Sequence, residues 1–101
     1  MRKIVYMYLA TGVATEANED GYPPGEKHSM LIFLAGYSEN YDWKAAEQVA
    51  TQRHWRDVEF GKAGRITTEQ VAAQDRTIRE SYADALEQGS ALVVYGAAEP
   101  A

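Results

Sequence analysis

The chain has 101 residues, no cysteine, and 15 Asp and Glu against 10 Lys and Arg, for a formal net charge of -5. A chain of this size makes one domain with its own core; the lack of cysteine excludes a disulfide framework and thiolate metal sites; and the acidic balance argues against a nucleic-acid partner, whose phosphates call for clustered Lys and Arg. The longest apolar runs are under ten residues, far short of the roughly 20 that span a bilayer, so the sequence reads as a soluble, cytoplasmic protein with no membrane partner.

Residues 2–10, RKIVYMYLA, are rich in Ile, Val and Tyr and predict a first strand rather than a secretory signal. A polar stretch, TGVATEANEDGYPPGEKHS, fills 11–29. Unstructured connections beyond about 12 to 15 residues are uncommon unless they have a role, so this one is expected to be a functional arm or a cover for the sheet, or to extend its flanking strands as a hairpin turned at Asp20-Gly21. MLIFLAGY at 30–37 predicts a second strand, apolar on both sides of the pleat. A helix follows over about 42–54, with Asp42 or Asn40 as N-cap and Ala46, Val49, Ala50 and Arg53 along one side.

DVEF at 57–60 alternates acidic and apolar residues as a short edge strand does, and the two glycines of GKAGR at 61–65 predict a turn. The second helix opens at Thr67 or Thr68, where Thr67 and Gln70 are spaced as a capping box, and ends near 88 before Gly89. Val71, Ile78, Tyr82 and Leu86 recur along it at helical spacing. ALVVY at 91–95 is a short last strand, and 96–101 is a tail.

The order β-β-α-β-α-β is that of a single α+β domain over 1–101: a two-layer sandwich with a mainly antiparallel sheet of about four strands and two helices on one face, comparable to ferredoxin-like split βαβ domains. Four strands make a sheet roughly 19 Å wide, and two helices of about 10 Å cover one face of it. With Val5, Met7 and Leu9 toward the helices, Ile4, Tyr6 and Tyr8 point the other way and need a cover. A second copy of the chain supplies one, making a homodimer whose interface draws on the seven tyrosines. The alternative is that the 11–29 loop folds back and lays Val13, Tyr22, Pro23 and Pro24 over that face.

Three sets of residues stand out. Tyr6, Tyr8 and Tyr22 are candidate protein contacts by that covering argument. Glu80, Asp84 and Glu87 form an acidic stripe on the second helix, with the last two near a C-terminus where negative charge is mildly unfavourable, and a basic protein surface would complement it. Arg53, Arg56, Lys62 and Arg65 form a candidate anion-binding set around Trp55; read structurally, Trp55 is core and the arginines serve the helix dipole.

His28 and His54 are expected at the surface or at a helix end. GYPPGEKHS lacks the spacing of a phosphate loop, and its prolines remove backbone donors. With no HExxH and no G-x-S-x-G, no catalytic, metal or cofactor residue is assigned. The reading is therefore a small acidic protein-binding module acting by association, of the inhibitor, immunity or accessory type found in bacteria and phages, and self-associating through its sheet face. The alternative is a dimeric α+β barrel enzyme or small-molecule binder whose pocket on that face would use Tyr6, Tyr8, Tyr37, Tyr95, His28 and Arg65.

Overall fold

The computed structural model describes residues 2–18 and 21–98. The chain is an α+β domain built on a four-stranded sheet, with three helices. Strands β1 (Ile4–Ala14), β2 (Lys27–Gly36), β3 (Trp55–Ile66) and β4 (Ser90–Ala98) lie in the order β3-β1-β2-β4, and every neighbouring pair is antiparallel. Helix α1 (Trp43–Thr51) joins β2 to β3, and helices α2 (Thr68–Ala72) and α3 (Arg76–Gln88) join β3 to β4.

Much of the long polar stretch is strand. β1 runs on to Ala14 and β2 starts at Lys27, so Val13 pairs with Lys27 and the two strands form one hairpin. The connection begins at Thr15 and closes with Gly25 N–H donating to the Ala14 carbonyl at 2.8 Å. Gly21 and Gly25 both take positive φ, as glycine readily does. The expected turn residue Asp20 lies outside the described residues.

β3 is longer than its alternation suggests, because Gly61 and Gly64 stay within the strand. The register against β1 shifts between Tyr8 and Ala10 and again between Thr11 and Val13. Each shift sets an extra β3 residue against β1, the mark of a bulge, and Asp57 takes φ 50° in the second. Thus the glycine-rich segment that resembles a turn bends a continuous strand instead.

The caps follow the sequence closely. Asp42 Oδ1 accepts from Ala45 N–H at 3.0 Å at the start of α1. Thr67 and Gln70 form the capping box of α2, and left-handed Gly89 closes α3. The single helix expected over 68–88 is divided, because Asp75 Oδ1 accepts from Ile78 N–H at 3.0 Å and starts α3 afresh.

The principal correction is to the layers. The helices do not share one face. Tyr6, Tyr8, Ala10, Met30 and Ile32 pack with Ala46 and Ala50 of α1, while Val5, Leu31, Phe33 and Ile66 pack with Val71 of α2 and Ala85 of α3. Because alternate strand residues point to opposite faces, the sheet is sandwiched between α1 on one side and α2–α3 on the other. One split crossing survives, since β2, α1 and β3 span β1, but the second connection runs from edge to edge across the opposite face. A two-layer, ferredoxin-like pair of crossings with both helices on one face is therefore not what forms.

Candidate functional site

Tyr6 and Tyr8 are 5% and 0% exposed. Their expected outward position is corrected: α1 and the loop before it lie over them. Both hydroxyls hold that loop from below. Tyr6 Oη donates to the Ser38 carbonyl at 3.1 Å, and Tyr8 Oη accepts from Asp42 N–H at 2.8 Å. The loop then continues directly into α1 through the Asp42 cap.

Near this base are three large exposed aromatic side chains, of which Trp43 is not among the residues singled out from the sequence. Tyr37, Tyr41 and Trp43 are 56%, 44% and 43% exposed. Tyr41 packs on Tyr6 with ring centroids 5.0 Å apart and lies 5.7 Å from Trp43. Trp43 meets Tyr8 and Phe60 edge to face, each at 5.2 Å. Edge-to-face pairs at these distances are favourable beyond the area they bury, so the exposed rings are held in place. Below Tyr37 is a small pocket of about 180 Å³ lined by Tyr6, Tyr8, Leu34, Asn40 and Asp42. Glu39, Asp42, Lys44 and Glu47, all exposed, are close to these rings in the chain, and Arg65, also exposed, pairs with Tyr6 on the neighbouring strand. The signal was present as three aromatics within seven residues of polar sequence, YSENYDW, but it reads equally as the start of a helix.

Burial raises the Tyr8 hydroxyl above its ordinary value of 10.0, against the lowering effect of the hydrogen bond from Asp42. The folded chain therefore holds this proton more tightly than the unfolded chain. Stability is complete below the unfolded value and falls as pH rises past it. Tyr8→Phe should flatten that alkaline loss in urea denaturations at increasing pH, while costing about 1 kcal/mol at neutral pH for the lost acceptor. An unchanged alkaline slope would show that Tyr8 does not carry it.

Comparison with protein-family models, with curated proteins and with solved structures gave no match to this chain.

The other candidates are dispersed. Tyr22 is half-buried on the same face as Tyr8 but near the tip of the hairpin, 4.6 Å from the His28 ring and 5.4 Å from Trp55. It covers the core there, while Pro23 and Pro24, named with it as an alternative cover, are exposed. His28 is buried rather than at the surface. Its Nδ1 donates to the Tyr95 carbonyl at 2.9 Å where the β2–β4 register slips, and its Nε2 lies 3.1 Å from Glu26 Oε1. The ring thereby fills a gap in the ladder. His54 is exposed at φ 66°, and its carbonyl accepts from Thr15 N–H at 3.1 Å.

Arg53 and Arg56 sit at one end of β3, and Arg56 pairs with Asp57. Lys62 and Arg65 lie further along the strand, with Arg65 about 23 Å from Arg56 by the seven residues of β1 that separate their partners Tyr6 and Val13. These four cations do not converge. Glu80, Asp84 and Glu87 are exposed on α3, with Glu80 bonded to Arg76 at 2.8 Å. Of the residues named for a sheet-face pocket, Tyr6, Tyr8 and His28 face α1, while Tyr95 lines a groove on the opposite face. That groove, of about 450 Å³, is floored by Met7, Leu31 and Val93. Its carboxylate, Asp75, is already engaged as the α3 cap. Among the described residues no group of three His, Asp or Glu is placed to hold a metal ion, and no helix is long and apolar enough to cross a membrane.

Proposed function

We propose that the chain is a protein-binding module that engages its partner through Tyr37, Tyr41 and Trp43 and the carboxylates around them. The observation that carries this is that Tyr41 and Trp43 are nearly half exposed while locked against Tyr6, Tyr8 and Phe60. Tyr and Trp are the residues most enriched where partners gain affinity, and rings already fixed in place lose little entropy on binding. A partner offering Arg or Lys side chains fits best, since a cation over an indole or phenol face is attracted by the ring and Glu39, Asp42 and Glu47 add charge of the right sign. This agrees with an acidic protein that acts by association, as an inhibitor or accessory factor does.

The test compares the native chain with Tyr41→Ser/Trp43→Ser, both shown to be folded by circular dichroism. Each is immobilised, retained proteins are identified by mass spectrometry, and each is then titrated in purified form by calorimetry. The expected result is a saturable complex weakened by at least about 2 kcal/mol, roughly 30-fold, in the double variant. If the partner is a second copy, sedimentation shows a dimer that the double variant loses. A partner bound equally by both chains would remove the patch from the interface.

A further inference from the structure

The two edges of the sheet are built differently. β3 carries Arg56, Asp57, Glu59, Lys62 and Arg65 and two register shifts, the devices by which an edge resists a further strand. β4 over 90–96 reads SALVVYG, without charge or proline, and it is paired with β2 alone. Its outward groups follow from one bond. Ala35 N–H donates to the Gly89 carbonyl at 2.9 Å, so in an antiparallel ladder Ala91 and Val93 exchange bonds with Phe33 and Leu31, while Ser90, Leu92 and Val94 turn N–H and C=O away from the sheet. The Tyr95 carbonyl, in the inward series, does face β2, where His28 meets it.

The flank of α3 decides what fits this edge. Tyr82 is on the side turned toward β1, lining a cleft with Val5 and Ile66 and bonding Thr68 Oγ1 at 3.2 Å. At 100° per residue, Asp84 falls about 160° around the axis from Tyr82, on the flank turned away from the cleft with Val5 and Ile66. Asp84 therefore stands on the β4 side, with Glu80 and Glu87 within about 60° of it. A second copy added about a two-fold axis would bring the same carboxylates toward this one. A segment bearing cations would be drawn to them.

We propose that the outer edge of β4 is a docking site for an extended basic segment of a partner protein, which adds as a fifth strand. Its backbone bonds Ser90, Leu92 and Val94, its alternate Lys or Arg side chains reach Asp84 and Glu87, while Glu80 stays paired with Arg76, and its remaining side chains lie beside Leu92 and Val94. Tyr41 and Trp43 stand over β1 and β3, across β2 from this edge, so the loss of those rings and the loss of the edge can be told apart.

The probe is a fluorescent synthetic peptide alternating lysine with valine, compared with one carrying glutamate in place of lysine and with a lysine peptide methylated on alternate backbone nitrogens. Anisotropy titrations should show salt-sensitive binding of the lysine peptide only, weakened roughly tenfold or more, about 1.4 kcal/mol, by methylation, by Asp84→Lys and by Val94→Pro. The proline deletes an outward N–H and leaves the ladder to β2 intact. If Val94→Pro does not fold, the methylated peptide makes the same test from the probe's side. In amide spectra of the native chain the perturbed signals should include Leu92 and Val94. Equal binding of both charge forms, indifference to methylation, no saturable binding at millimolar peptide, or a dimer that already protects the Leu92 and Val94 amides would each overturn the proposal.

Discussion

Trp55→Ala should cost about 3–5 kcal/mol, a large part of the roughly 5–15 kcal/mol that holds a domain of this size together. Trp55 opens β3 opposite Ala14. Its ring lies 5.4 Å from Tyr22 and 5.8 Å from His28, and Gly12 lies against it, where an added Cβ would be in ordinary contact with Trp55 at 3.5 Å but would meet Met30 Cε at 2.9 Å. Truncation removes the common neighbour of the hairpin, its connection and β3, and these elements cannot close on the space together. A fall in melting temperature of roughly 15 °C or more is expected. Trp55→Phe should lose distinctly less, because it keeps an aromatic ring and removes the indole Nε1 donor, which is buried with no hydrogen-bond partner. Thermal melts of the two variants decide the matter; an alanine variant melting within a few degrees of the native chain would mean that Trp55 does not join these elements.

The second large effect separates two adjacent residues. Tyr8→Asp should abolish folding, and Leu9→Asp should be tolerated. Tyr8 is fully buried beneath Trp43 and Tyr41, so aspartate there both empties an aromatic's volume, at about 3–5 kcal/mol, and strands a carboxyl in an apolar site, at several more. The sum is comparable to the roughly 5–15 kcal/mol that holds such a domain together. Leu9 is 41% exposed on the other face, and a charge there stays in water. Circular dichroism and size-exclusion profiles of both variants provide the check. The reverse outcome would mean that β1 is turned over relative to the arrangement described above.

The same pair shows where sequence reasoning reached and where it stopped. Local choices were legible because each depends on few residues. Asp42, Thr67 with Gln70, and Gly89 cap helices where their chemistry says they should, and Ile, Val and Tyr content marks β1 and β2. Gly61 and Gly64 misled because a glycine tolerates a turn and a bulged strand equally, and only pairing with β1 selects the latter. Asp75 falls inside the single helix that the spacing predicts, but as a cap it interrupts that helix. The pairing of Tyr41 with Trp43 is not legible in the sequence, because both rings rest on Tyr6 and Tyr8, more than thirty positions away in the chain.

By itself the sequence determined that the central strands are apolar on both sides and therefore need cover on both. Which body supplies each cover was decided by tertiary structure alone. A connection leaving β2 or β3 can cross either face of the sheet, and α1 and α3 each offer a similar small-residue stripe, Ala46 and Ala50 or Ser81 and Ala85. With one helix crossing each face, the tyrosines expected to meet a second chain became the support for an aromatic surface of their own.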